Sequence, residues 1–285
     1  MAALLNKIRE TVAYIQSVYG ETPTAGVVLG SGLGNFTSEL VVEKEISYQE
    51  IPHFPVSTVE GHTGRLVFGK LGDKRVVVMA GRFHFYEGYS MQEVVYLVGS
   101  EMCIRDRYPI RVMKYLGIET LVLSNAAGGV NEAFKVGDVM IISDHISQFM
   151  ENPLIGKNIS ELGPRFPDMS EPYSKELRSR ARSIAQQHGI VVQEGVYVGV
   201  TGPTFETKAE YKMIHAVGGD AVGMSTVPEV IAAVHMGLPV FAMSVITDLG
   251  HPGNEHVISH EEVLQAARAA EPKMTAIVKQ LILEL

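Results

Sequence analysis

The chain has 285 residues, 46% of them hydrophobic and 20% charged, which is the composition of a globular protein with a large core. Its formal net charge is −8 and it contains no lysine- or arginine-rich run, so no nucleic-acid partner is expected. Cys103 is the only cysteine, which excludes an internal disulfide, and no apolar run is long enough to span a membrane. We expect a cytoplasmic protein with one α/β domain over residues 1–285, because neither a linker nor a repeat divides the chain.

The chain begins with a predicted helix, a strand and a glycine-rich turn. Apolar residues recur at helical spacing over Leu4–Tyr19, and Gly20 is expected to end that helix. The β-branched run Val27–Leu29 predicts a buried strand that leads directly into the turn Gly30–Gly34. Three glycines in this turn leave backbone N–H groups accessible, and Ser31 adds a hydroxyl. The turn therefore favours a small anion such as phosphate, although a purely structural turn would use the same glycines.

The next predicted elements are two strands, Arg65–Phe68 and Arg75–Met79, joined as a hairpin. His62 lies in the turn that precedes them, where it is either a surface histidine or a ligand contact. Because ligands gather at the carboxyl ends of strands in open α/β sheets, the segment Gly81–Gly88 after the hairpin is a candidate site. Its Arg82 is a forked donor for phosphate oxygens, and His84 is a further donor. A solvated, charged turn is the alternative.

Strands and helices alternate through the rest of the chain, which predicts a mostly parallel or mixed α/β sheet with a composite site at its strand ends. A polar loop at Pro153–Pro172 is a candidate lid or subunit contact. The predicted strands are Leu121–Leu123, Val139–Ile142, Val191–Val200 and Val240–Ile246, and Asp220–Gly223 leads into Met224–Glu229. The predicted helices are Leu177–His188, one starting after Thr207, one starting after Thr226, and Glu261–Leu285 with a kink at Pro272.

Polar residues mark the starts of two predicted helices. Thr207 and Glu210 have the spacing of a capping box. Ser225 or Thr226 is expected to be the N-cap of the helix in which Pro228 is an early residue. These two hydroxyls either cap the helix only or also face a ligand.

Six motifs, in this order, resemble the trimeric purine nucleoside phosphorylases: VVLGSGLG, GHTGRLVFG, GRFHFYEGY, SNAAGG, GPTFET and GMSTVPE. The resemblance covers nearly the whole chain. It implies a single α/β domain of the nucleoside phosphorylase type, with a central mixed sheet flanked by helices. It also implies phosphorolysis of purine nucleosides to the free base and α-ribose 1-phosphate in a homotrimer. Phosphate is then a co-substrate, and neither a cofactor nor a metal is expected.

The resemblance also assigns roles to individual residues. Phosphate would contact Ser31, Arg82, His84, the backbone of Ala126 and Ser225, with His62 closing over it. The ribose would contact Tyr86, Met224 and His260, while Phe205 and Glu206 would hold the base. His84, Glu206 and Asp248 are the residues expected to take part in catalysis. Phe149 is the candidate for the phenylalanine that this family borrows from a neighbouring subunit.

One residue and one segment depart from the family pattern. Asp248 stands where an asparagine usually meets the purine, and an ionised aspartate accepts from a 6-amino group whereas a protonated one donates to N7 or O6. Residues Tyr96–Arg107 form an atypical insertion into what should be one helix near Met91–Leu116.

Because of Asp248, a methylthioadenosine phosphorylase is an alternative function for the chain, since those relatives carry an aspartate in this neighbourhood. Ser225 and His260 favour an ordinary ribonucleoside instead. A nucleoside-binding relative without turnover is the alternative from another class. Substrate comparison separates the two enzymes, and purine release that requires phosphate excludes the binding protein.

Overall fold

The computed structural model describes residues 2–30, 33–55, 64–84, 108–250 and 259–285. Within these segments the strands are β1 (Ala25–Leu29), β2 (Val41–Ser47), β3 (Arg65–Leu71), β4 (Lys74–Ala80), β5 (Thr120–Gly129), β6 (Val139–Ile146), β7 (Val192–Gly199), β8 (Ala221–Gly223) and β9 (Val240–Leu249). The α-helices are α1 (Ala2–Val18), α2 (Tyr108–Leu116), α3 (Lys175–Gln187), α4 (Lys208–Ala216), α5 (Val227–His235) and α6 (His260–Leu283).

All these strands belong to one mixed sheet with the order β2-β3-β4-β1-β5-β8-β7-β6-β9. Strand β9 also pairs with β5, so the strands from β5 to β9 close into a ring. Because β1 is parallel to both β4 and β5, the carboxyl ends of these three strands meet at one edge. Strand β8 runs antiparallel to the end of β5, so the chain after Gly223 returns towards Asn125.

The central strands β1, β4 and β5 are buried on both faces, which explains their β-branched, nearly continuous apolar sequences. Val28 and Val77 belong to a core formed with helices α1, α2 and α5. Their neighbours Val27, Val76 and Val78 belong to a second core formed with α3 and α6. This alternation along each strand confirms the predicted sheet with helices on both sides.

The helix boundaries follow the capping signals in the sequence. Thr207 and Glu210 form the predicted capping box at α4, with the Thr207 hydroxyl accepting from the Glu210 N–H and the Glu210 carboxylate accepting from the Thr207 N–H. Ser259 and Glu262 form another at α6, and Pro272 lies inside that helix. The predicted loop Pro153–Pro172 contains neither helix nor strand.

Strand β2 is the main element that the sequence pattern did not predict. Its residues Val41–Glu45 are exposed, and it lies at the edge of the sheet, where charged side chains discourage pairing with another chain. Strands β5 and β9 are also longer than predicted, because the small and polar residues after their apolar runs still pair with each other. In the segments given above, no helix combines the length and hydropathy that a membrane crossing requires.

The insertion Tyr96–Arg107 lies outside the described residues and stays a prediction. Of the helix expected near Met91–Leu116, only the final part is described, as α2.

Candidate active site

A single pocket collects the predicted site residues that lie in the described segments. They are Arg82, His84, Ala126, Phe205, Glu206, Met224, Ser225, Asp248 and His260. They come from the carboxyl ends of β4, β8 and β9, from the middle of β5, from the segment between β7 and α4, and from the first residue of α6. The mixed sheet therefore brings together residues that are far apart in the sequence, at the edge where ligands of such sheets bind.

Arg82 anchors one side of this pocket through a buried ion pair. Its side chain is 2% exposed, and its Nε lies 2.9 Å from Oε1 of Glu229 on α5. Its Nη1 donates to Oγ of Ser225 at 2.8 Å. Because a buried guanidinium needs both a counter-charge and hydrogen-bond acceptors, these contacts fix its orientation. The result is a rigid, forked donor next to a hydroxyl, an arrangement suited to an oxyanion.

Thr226 joins this side of the pocket to β5. Its fully buried Oγ1 accepts from Nδ2 of Asn125 at 2.8 Å and from Nη1 of Arg82 at 3.4 Å. It also lies 3.2 Å from Oγ of Ser225. The hydroxyls of Ser225 and Thr226 thus form one hydrogen-bonded cluster with Arg82 and Asn125.

The prediction that Ser225 or Thr226 is the N-cap of helix α5 is confirmed for Thr226, but the Thr226 hydroxyl does not cap the helix. Thr226 occupies the N-cap position of α5, but its side chain makes no capping hydrogen bond. Its backbone has φ 74°, an unfavourable value for a β-branched residue. The reason is that the Thr226 hydroxyl turns towards Arg82 and Asn125 instead of towards the helix. Strain of this kind persists where the surrounding structure holds it, commonly at functional sites.

The other side of the pocket holds two carboxyl groups, one of which contacts a tyrosine. Glu206 lies just before α4, and Asp248 lies near the end of β9. Tyr211 of α4 donates through Oη to Oδ2 of Asp248 at 3.3 Å. Oγ1 of Thr247 donates to Oδ1 of Asp248 at 2.9 Å. Asp248 is therefore held by a phenol and a hydroxyl, while Glu206 lines the same part of the pocket.

Burial raises the pKa of both carboxyl groups above the ordinary range. For Glu206 the negative charge of Asp248 adds to this effect, while hydrogen bonds from its own backbone N–H and from Tyr211 oppose it. For Asp248 the hydrogen bonds from Thr247 and Tyr211 oppose the effect of burial. Burial, together with the two carboxylates, raises the pKa of the Tyr211 hydroxyl, which therefore stays protonated at neutral pH. The base side of the site thus has two acids that take up a proton more readily than exposed ones.

Several predictions about the site are not tested by these residues. Ser31, His62 and Tyr86 lie outside the described segments, so their places in the site stay predictions. Phe149 packs in its own chain against a small cluster that includes Val130 and Tyr211, and it does not line the pocket. Its predicted role in a neighbouring subunit's site stays a prediction as well.

Sequence reasoning missed residues that hold the predicted ones in place: Asn125, Glu229, Thr247 and Tyr211. Glu229 could have been predicted, because a buried arginine requires an acidic partner and the motif GMSTVPE ends with a glutamate. Tyr211 gave no such signal, since its contact with Asp248 depends on how α4 packs against β9. Among the described residues, no cluster of histidine, cysteine, aspartate and glutamate could hold a metal ion.

Comparisons with known proteins agree with this architecture. The model of the Phosphorylase superfamily matches residues 24–283. Purine nucleoside phosphorylase 1 of Geobacillus stearothermophilus is 48% identical over 275 residues, which cover 96% of each chain.

Two solved structures also resemble this chain over nearly its whole length. A Schistosoma purine nucleoside phosphorylase in complex with hypoxanthine has a TM-score of 0.88 at 38% identity, over 98% of this chain and 97% of that one. The Schistosoma mansoni enzyme in complex with adenosine has a TM-score of 0.88 at 39% identity, with the same coverage.

Proposed function

The chain belongs to the purine nucleoside phosphorylase family, and from this membership we propose which residues carry out phosphorolysis in its pocket. The reaction cleaves the N-glycosidic bond of a purine ribonucleoside or deoxyribonucleoside with phosphate. Its products are the free base and the (deoxy)ribose 1-phosphate, as purine salvage requires. The side of the pocket with Arg82 serves phosphate, and the side with Glu206 and Asp248 serves the purine.

Phosphate binds at the end of the pocket formed by Arg82, Ser225, His84 and the backbone of Ala126. The observation that carries this assignment is the buried guanidinium of Arg82, which is held beside the Ser225 hydroxyl by Glu229. Cleavage builds positive charge on the ribose, which the bound phosphate stabilises without a covalent intermediate. Ser31 and His62 complete this part of the site. No cofactor enters this scheme.

The nucleoside occupies the remaining space, with its ribose near Met224 and His260 and its base near Phe205. From the family resemblance, Tyr86 would contact the ribose as well. Cleavage also leaves negative charge on the purine, which a donor at N7 or O6 neutralises. The raised pKa values of Glu206 and Asp248 support such a donor, because burial favours the protonated form of each acid. One cysteine in the whole chain suits a reducing compartment, so we place the reaction in the cytoplasm.

Asp248 keeps a methylthioadenosine phosphorylase as the second candidate, because its carboxylate accepts from a 6-amino group. The Schistosoma relatives were solved with hypoxanthine and with adenosine, so both kinds of base occur in this family's sites. We expect this chain to cleave adenosine measurably in addition to inosine.

The test is phosphate-dependent cleavage of inosine, guanosine, adenosine and methylthioadenosine by the wild-type chain and by Asp248→Asn. An amide donor at position 248 should favour inosine over adenosine by about 1–3 kcal/mol, the value of one hydrogen bond. We therefore expect kcat/KM for inosine relative to adenosine to rise about 5- to 150-fold. An unchanged ratio would mean that Asp248 does not face the base. Preference of the wild type for methylthioadenosine would favour the second candidate, and purine release without phosphate would contradict phosphorolysis.

A further inference from the structure

Thr226 has a fully buried hydroxyl on the phosphate side of the pocket. Its Oγ1 lies 2.8 Å from Nδ2 of Asn125, 3.4 Å from Nη1 of Arg82 and 3.2 Å from Oγ of Ser225. The amide nitrogen and the guanidinium nitrogen can only donate, so each of them occupies one lone pair of the Thr226 hydroxyl. Thr226 therefore has to donate its own hydrogen to a third group.

Ser225 is that third group, because its Oγ is the remaining partner of Thr226 Oγ1 in the segments that the structure describes. In the opposite direction, with Ser225 as donor, Thr226 would accept three hydrogens with two lone pairs. Its own hydrogen would also be buried without an acceptor, which is unfavourable. The contact between the two hydroxyls is therefore a hydrogen bond from Thr226 to Ser225.

The same count applies to the Ser225 hydroxyl. Its Oγ accepts from Nη1 of Arg82 at 2.8 Å and from Thr226, which occupies both of its lone pairs. Nη1 carries two hydrogens, one for each of the two hydroxyls. The hydrogen of Ser225 then remains for another acceptor, and Ser225 lines the pocket. Inside the protein the alternative acceptor is Oη of Tyr197, which lies 3.4 Å from the Ser225 backbone nitrogen, but a phosphate oxygen is charged and accepts more strongly.

The backbone of Thr226 supports a functional role for this direction. Its φ of 74° is unfavourable for a β-branched residue, and its side chain makes no capping hydrogen bond to α5. The strained conformation places the hydroxyl between Asn125, Arg82 and Ser225. Strain that serves no local purpose in the helix is typical of a residue that organises a site.

We propose that Thr226 is a positioning residue whose hydroxyl donates to Oγ of Ser225 and thereby directs the Ser225 hydrogen towards the bound phosphate. No covalent bond changes, because only the direction of hydrogen bonds is fixed. A donor that already points at the anion needs no reorientation when the anion binds or when charge develops during cleavage. This inference rests on the proposed function, since phosphate must occupy the side of the pocket that holds Arg82 and Ser225.

The experiment measures KM for phosphate and KM for inosine in the wild type, in Thr226→Val, in Thr226→Ser and in a matched control, Thr11→Val. Valine keeps the shape and the branching of threonine, so only the hydroxyl is lost, whereas serine keeps the hydroxyl. Thr11 is equally buried, and its Oγ1 donates to the carbonyl oxygen of Pro52; neither residue lines the pocket.

In Thr226→Val we expect KM for phosphate to rise about 3- to 10-fold, the effect of one hydrogen bond that is no longer oriented. KM for inosine should stay close to the wild-type value, because the change lies on the phosphate side. In Thr226→Ser and in Thr11→Val both KM values should stay close to the wild type.

A double variant shows through which residue Thr226 acts. Ser225→Ala removes the hydroxyl that Thr226 orients, so adding Thr226→Val to it should raise KM for phosphate no further. A further rise would mean that Thr226 acts through Arg82 or through the fold, and would overturn the inference. KM does not depend on the folded fraction of a preparation. If Thr226→Val does not fold, Thr226→Cys replaces it, because a thiol is only a weak donor and a weak acceptor.

The remaining outcomes separate the inference from the proposed function. An unchanged phosphate KM in Thr226→Val would mean that the Ser225 hydrogen points elsewhere, for example to Tyr197, and would overturn the inference alone. An equal rise of both KM values in Thr226→Val, or no rescue by Thr226→Ser, would also overturn it alone. A wild-type chain that cleaves no inosine in the presence of phosphate would overturn the proposed function, and an unchanged phosphate KM in Ser225→Ala would overturn its assignment of phosphate to Ser225. In both of these cases the inference fails as well.

Discussion

At the scale of single residues, Arg82 has two functions that a simple truncation would confuse. It faces the pocket beside Ser225, and it also neutralises the buried carboxylate of Glu229. Removing one partner of a buried ion pair leaves the other charge uncompensated, which costs roughly 3–5 kcal/mol of stability. The loss of one charge-assisted hydrogen bond to a ligand costs about 1.5–3 kcal/mol of binding. The stability effect therefore has to be removed before the binding effect is interpreted.

We predict that Arg82→Ala loses both stability and phosphate affinity, and that Arg82→Ala combined with Glu229→Gln regains stability only. Replacing the carboxylate by an amide removes the uncompensated charge, so the unfolding free energy should recover most of the loss. The KM for phosphate should stay raised about 10- to 100-fold, as expected for one charge-assisted contact. Denaturant unfolding and phosphate titrations measure the two effects separately. Recovery of wild-type phosphate affinity in the double variant would show that Arg82 acts only as the partner of Glu229.

At the scale of elements, helix α4 positions residues on the base side of the pocket. Its capping box, Thr207 with Glu210, fixes where the helix starts, directly after Glu206. Tyr211 follows in the next turn and reaches Asp248. This capping motif therefore helps to place Glu206 and Tyr211 relative to Asp248.

We predict that Thr207→Ala lowers the unfolding free energy by about 1 kcal/mol, as loss of an N-cap does, and raises the KM for nucleosides. The matched control is Ser47→Ala, which disrupts the capping box of the short helix Tyr48–Glu50, a helix that does not line the pocket. Its nucleoside KM should stay unchanged. Unchanged nucleoside KM in both variants would separate the cap of α4 from the base site.

The capping box of Thr207 and Glu210 also predicts how the stability loss in Thr207→Ala depends on pH. Hydrogen bonds from the backbone and side chain of Thr207 lower the pKa of Glu210 in the folded protein. An acid with a lowered pKa stabilises the fold above its unfolded pKa, and this stabilisation is lost as the pH falls through the folded pKa. The destabilisation caused by Thr207→Ala should therefore shrink as the pH is lowered below the ordinary glutamate range.

The elements also differ in how well their sequences predicted them. Val27–Leu29 was predictable because a strand buried on both faces has to be apolar throughout. Val41–Glu45 was not, because an exposed edge strand needs no apolar pattern. For the site, motif residues such as Arg82 and Glu206 were predictable one by one. The contacts of Tyr211 and Thr226 were not, because they join residues that only the folded sheet brings together.

At the scale of the whole molecule, the base side of the pocket is open in a single chain. Phe205, which is expected to stack on the base, is 43% exposed, and Met213 and Val217 on the same stretch are also exposed. Large apolar side chains left exposed by a chain are commonly covered by a partner. The family resemblance predicts a homotrimer in which Phe149 of a neighbour completes this side. Such contacts would cover apolar surface that one chain leaves open.

We predict that the chain is a trimer in light scattering and that Phe149→Ala raises the KM for nucleosides but not for phosphate. The decisive experiment co-expresses Phe149→Ala with Glu206→Gln, which lacks its own base-binding acid. In mixed trimers, some sites would combine an intact Glu206 from one subunit with an intact Phe149 from its neighbour. Their nucleoside kcat/KM should therefore exceed the average of the two variants expressed alone, because neither defect would be present in those sites. If Phe149 served only its own chain, each site would keep one defect and the mixture would equal that average. An active monomer at low concentration would contradict the shared site in a different way, since one chain would then suffice.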